Sequence, residues 1–107
     1  MEELKKSLKV NRLLDIYGNL LTYHQKEIVS LYYQMDLSLS EISEQLNISR
    51  NGVYDAIKKS VLILEKYEDK LHLLDKEEQL DIFFEEIKKN KSEKELSLIS
   101  IIESRVK

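Results

Sequence analysis

Between Ser49 and Lys59 the chain reads SRNGVYDAIKK, and its side chains carry the donors that nucleic acids accept. An arginine fork matches the two acceptors on a guanine edge, an asparagine amide matches adenine, and a lysine ammonium suits a phosphate. Helical spacing places Arg50, Asn51, Tyr54 and Lys58 on or near one outer face, with Lys59 beside them and Ser49 capping the start. Ser49, Arg50, Asn51, Tyr54, Lys58 and Lys59 are therefore the candidate nucleic-acid-binding residues. As an ordinary wet helix face they would need no ligand at all. Asp55 lies among them and would face phosphates or bases unfavourably. Gly52 costs about 1 kcal/mol against alanine inside a helix; it suits either close approach of a backbone or simple variation at an exposed position.

The elements that must position these residues are legible. Helix starts are marked by Ser, Thr, Asp or Asn with Glu or Gln three residues later. Thr22–Gln25, Ser38–Glu41, Asp75–Glu78 and Ser92–Glu95 fit that pattern, and Ser49 opens a fifth start. The spacing predicts a first helix from about Glu3 to Leu20, with Val10, Leu13, Leu14, Tyr17 and Leu21 on one face. A second, about Tyr23 to Gln34, offers Ile28, Leu31, Tyr32 and Met35, with one ring of the Tyr32–Tyr33 pair inward. The third, Leu39 to Leu46, presents Leu39, Ile42 and Leu46. A fourth begins at Arg50, and its apolar series Val53, Ile57, Val61, Leu64 and Leu71 runs to about Leu71. Its second half is longer than a small core needs and must pack beyond the three-helix head. Two more are predicted, about Lys76 to Lys89 and Glu93 to Val106. The fold class is all-α.

The third and fourth helices, joined by about three residues, describe a helix-turn-helix. Ser43 is small where the helices cross, Asn47 tolerates the left-handed turn position, and Ile48 plugs the turn. Leu31, Ile42, Leu46, Ile48, Val53 and Ile57 should be buried together. "LSEISEQLNIS" resembles the helix-turn-helix of sigma-factor domain four, with Ser43 for alanine and Asn47 for glycine. In sigma factors the helix that opens here at Arg50 is rich in Arg and Lys, and Gly52 and Asp55 depart from that.

Composition sets bounds. Proline is absent and glycine occurs twice, too few turn residues for an all-β fold. Without cysteine there is neither disulfide nor thiolate site. No apolar run approaches the roughly 20 residues of a membrane span, and MEELKKSLKV has no signal-peptide core, which implies a soluble, cytoplasmic protein. Net charge is −3. Residues 1–35 carry five basic and four acidic groups, and no segment is strongly basic, which weighs against strong non-specific DNA binding. His24 and His72 have no companion ligand at a metal-binding spacing. No nucleophile–base set or phosphate loop appears, so neither an enzyme nor a cofactor is expected. Lys58, Lys59, Glu65, Lys66, Glu68, Asp69 and Lys70 read as a solvated face.

A second, closer resemblance covers nearly the whole chain and weakens after about Leu74. The segment from Asn11 to Lys59 is similar to the YlxM-like family of small bacterial proteins, through YGNLLT (Tyr17–Thr22), LYY (Leu31–Tyr33) and SRNGVYDAI (Ser49–Ile57). That resemblance implies a regulatory part in the signal recognition particle pathway. The leading expectation is a helix-turn-helix DNA-binding or regulatory protein. Its rival is a module that kept the shape but binds particle protein or RNA.

The C-terminal third needs its own account. Leu80, Phe83, Phe84 and Ile87 form one stripe, and Leu96, Ile99, Ile102 and Val106 another, with Leu98 and Ile101 off it. Each helix is too short to stand alone in water. These observations predict a homo-oligomer, a dimer in the simplest case, through the long fourth helix and the C-terminal pair, with residues 1–74 as the helix-turn-helix domain that includes that helix and 75–107 as the C-terminal helical pair.

Overall fold

The computed structural model describes residues 2–106, and within them all regular structure is helical. The helices are α1 (Glu2–Tyr17), α2 (Tyr23–Tyr33), α3 (Leu39–Leu46), α4 (Arg50–Leu71), α5 (Leu73–Lys88) and α6 (Glu93–Val106). They divide into two compact units that part after His72. The helix-turn-helix sits in the first.

In the first unit, α1 buries Val10, Leu13, Leu14 and Tyr17, the face its spacing predicts. It ends three residues before Leu20, because Gly18–Leu20 tightens into a 3-10 turn closed by the Leu21 amide on the Gly18 carbonyl. Thr22 and Gln25 then form a reciprocal capping box that starts α2. Here the expected face is partly wrong. Ile28 and Val29 are buried, whereas Leu31 and Tyr32 are only half-buried. α1, α3 and α4 all pack on α2, so more than one stripe of it is covered. Met35, expected inside, is exposed: α2 stops at Tyr33, and Asp36 adopts a left-handed φ of 57° that carries the chain away.

Ser38 and Glu41 build the second capping box, at the start of α3. Of α3's three expected core residues Ile42 is fully buried, while Leu39 and Leu46 lie at the rim of the head. The predicted cluster is thus centred on Ile42, Val53 and Ile57, with Leu31, Leu46 and Ile48 half-covered. α4 runs unbroken for 22 residues and buries Val53, Ile57, Ser60, Val61 and Leu64. Its far half packs on α1. The Tyr17 hydroxyl donates to Glu68 Oε1 at 2.7 Å, and the Tyr17 ring stacks on Tyr67 with centroids 5.9 Å apart. Leu71, expected in the core, is exposed.

His72 takes a left-handed φ of 54° and ends α4, its amide donating to the Glu68 carbonyl. α5 therefore begins at Leu73, earlier than the expected Lys76. Asp75 falls inside its first turn instead of capping it, and accepts from Gln79 at 3.2 Å. Leu74 is buried, which gives the earlier start its apolar anchor. In the second unit Phe84 is buried with Phe83 edge-on to it, and Lys88 bonds Glu103 to tie α5 to α6. Phe83, Ile102 and Val106, expected to be covered, are exposed. Ser92 caps α6 with Glu95, yet α6 buries no residue.

Candidate nucleic-acid interface

The turn between α3 and α4 is held from both chemical ends of Ser43. Its carbonyl accepts the Asn47 and Ile48 amides, and its hydroxyl donates back to the Ile48 carbonyl. Asn47 is left-handed, φ 56°, as the turn requires. Sequence reasoning took Ser43 only for a small residue at the crossing; its hydroxyl also locks the turn.

One residue later Ser49 caps α4, its Oγ accepting the Gly52 amide at 2.9 Å. A Cβ on Gly52 would meet that oxygen at 3.0 Å. A side chain at this position would need the Ser49 hydroxyl to ease back by a few tenths of an ångström. The arrangement differs from the caps of α2 and α3. Gln25 and Glu41 reach back to the cap residue's amide, which Gly52 cannot do.

All six candidate residues are exposed. Ser49, Arg50, Asn51 and Tyr54 line one shallow hollow of about 700 Å³ with Leu39. Lys58 lies one turn beyond Tyr54 and lines a second hollow instead. Lys59 lines neither, and Asp55 stands exposed between the lysines and the cap. No described group of three His, Asp or Glu could hold a metal ion, and no described helix is long and apolar enough to cross a membrane.

The second hollow, of about 390 Å³, lies between α1, α2 and α4, with Leu39 of α3 also on its wall. Tyr32, Tyr33 and Tyr54 line it, with Lys6 and Lys58 on its sides and Glu65 farther along α4. The Tyr32 and Tyr33 rings meet at 84°, centroids 5.0 Å apart, and both are half-buried. Burial, with Tyr32 and then Glu65 nearby, pushes the Tyr33 hydroxyl above its usual pKa, so it stays neutral at ordinary pH. The sequence places one ring of the pair in the core and one outward, whereas the structure leaves both half-buried. Successive helical residues point about 100° apart, so two adjacent rings could not both turn inward, and that was the available signal for a groove.

The match to known proteins is broad. Residues 4–103 fit the UPF0122 family model, described as "Putative helix-turn-helix protein, YlxM / p13 like". The chain is similar to a UPF0122 protein of Pediococcus pentosaceus, 50% identical over 80% of this chain and 76% of that one. A UPF0122 protein of Bacillus mycoides is 46% identical over 86% of this chain and 84% of its own. One from Halalkalibacterium halodurans is 42% identical over 94% of each. Those likenesses run through α3, its left-handed turn and α4, and on that basis the chain belongs to the UPF0122 family of YlxM/p13-like helix-turn-helix proteins.

Proposed function

We propose that this protein binds duplex DNA through the N-terminal half of α4 and acts as a regulator. The observation that carries the reading is the shared exposure of Arg50, Asn51 and Tyr54 around one hollow, on a helix whose start Ser49 caps. Behind that face, Val53 and Ile57 are buried and hold the helix rigid. Arg50 and Asn51 supply base-edge donors, Lys58 and Lys59 supply phosphate contacts, and Ser49 and Tyr54 border them. A second copy, associating through the C-terminal unit, would present paired heads to paired half-sites.

Asp55 favours a second reading. It stands exposed between the candidate donors, and the chain's net charge is −3. Both suit a helix-turn-helix turned to protein contact; RNA, with the same phosphate charge as DNA, would have to be held by single-stranded or shape contacts instead. The signal recognition particle, which the YlxM resemblance implies, would then be the source of the partner.

Selection from a random duplex library at moderate salt separates these readings. The first expects an enriched sequence, bound roughly 5- to 150-fold more weakly by Arg50→Ala, the range of one bidentate base contact. No enrichment, or full affinity in Arg50→Ala, would overturn it in favour of the second.

A further inference from the structure

We infer that the groove between α1, α2 and α4 is a second nucleic-acid subsite, which takes an unpaired base between Tyr32, Tyr33 and Tyr54 with the flanking phosphates on Lys6 and Lys58. The inference rests on the reading of the head as a nucleic-acid binder, and adds a site and a ligand form that duplex contact through Arg50 and Asn51 does not need.

Three observations carry it. The groove combines aromatic rings with two cations, the pairing that single strands use: rings stack the base while basic groups follow the backbone. At right angles, the Tyr32 and Tyr33 rings cannot cover both faces of each other, and Tyr54 is 54% exposed. The two ammonium groups come from different helices and neither forms an ion pair among the described residues. Their charge is free for phosphate.

Charge also sets the path of the strand. The adjoining hollow shares Lys6, Tyr32 and Tyr33 but is lined by Glu3, Asp36 and Glu41, so phosphates are repelled on that side. Tyr54 lies in both the groove and the hollow of Arg50 and Asn51, so the favourable exit runs toward the reading face. Glu65 is the one acidic side chain in the groove. It opposes phosphate there and limits affinity. Because the Tyr33 hydroxyl stays neutral, it adds no second negative charge.

The test is fluorescence anisotropy of the full chain with labelled 12-residue thymidine and uridine strands and with a duplex. Binding of either strand is expected; the thymidine and uridine arms show whether DNA or RNA supplies the base. Tyr32→Ala should weaken it roughly 5- to 150-fold, the measured range for one stacked base. Lys6→Ala lies on the exposed surface of α1 and leaves the core intact; it should lower the salt slope by about 0.7. Glu65→Gln should tighten binding about two- to five-fold. Duplex binding should be unchanged by Lys6→Ala, and single-strand binding should fall less in Arg50→Ala than in Tyr32→Ala, because the strand meets Arg50 only on leaving the groove. Loss of duplex binding in Arg50→Ala tests the reading face, so the two ideas fail separately. Absence of single-strand binding, or an unaltered salt slope in Lys6→Ala, would overturn the subsite, as would its loss in Arg50→Ala with Lys6→Ala unaffected.

Discussion

At the scale of single residues the head rests on a few side chains whose environments dictate their type. Asn47 holds φ 56°, which costs a β-branched residue about 1–2 kcal/mol and glycine almost nothing. Asn47→Gly should therefore melt near wild type, while Asn47→Val should melt several degrees lower by circular dichroism. Equal melting of the two would show that the turn bears no backbone constraint. Ile42 has no exposed surface and joins α3 to the centre of the core. Ile42→Ala should lower stability by about 2–5 kcal/mol in chemical denaturation. Ile48, half-buried, tolerates more: an alanine there should cost less than one at Ile42. Tyr17 acts at a distance from the turn. Its hydroxyl on Glu68 and its ring on Tyr67 keep the far half of α4 against α1.

At the scale of helices, legibility tracked the local code. The caps at Thr22, Ser38 and Ser92 were readable because each has its Gln or Glu partner three residues on, and Ser49 because it follows the turn; each forms. The Asp75 pattern misled because α4 ends at the left-handed His72 and α5 starts directly after it at Leu73, with Leu74 buried, so Asp75 falls inside the first turn. Met35 and Val29 misled for a related reason: periodicity assigns one stripe, whereas α2 is packed on several sides and ends at a left-handed Asp36. In the candidate site, the shared exposure of Arg50, Asn51 and Tyr54 was legible from residue types and spacing. The tyrosine groove was not, since Lys6 and Tyr54 come together only in the fold. One cap carries a pH signature. Hydrogen bonds from the Ser38 amide and then its hydroxyl lower the pKa of Glu41. Its contribution is therefore present above the unfolded carboxylate pKa and lost as pH falls through the folded value. Glu41→Gln keeps an acceptor that does not titrate, so the stability gap between wild type and variant should close between about pH 6 and pH 3. A gap independent of pH would show that the carboxylate charge plays no part in the cap.

For the whole molecule, two features of the surface bear on the proposed partners. The C-terminal unit exposes Ile82, Phe83, Leu98, Ile101, Ile102 and Val106, and α6, 14 residues long, buries none of its own. Helices of that length are marginal in water without a packed face. Two such surfaces related by a two-fold axis would cover on the order of 1,000 Å², near the lower edge of specific interfaces. Sedimentation equilibrium at micromolar concentration is expected to give a dimer, and Phe83→Glu with Ile102→Glu a folded monomer. A monomeric wild type would remove self-association from the proposal. The other feature is the exposed face of α4, on which the proposed function depends. Its most direct test is the salt dependence of affinity for a selected duplex, between about 50 and 200 mM. Removing the Lys58 ammonium should reduce the slope by about one unit, whereas Lys91→Ala, in the second unit, should leave it unchanged. If Lys58→Ala keeps both the wild-type slope and affinity, α4 does not carry the nucleic acid.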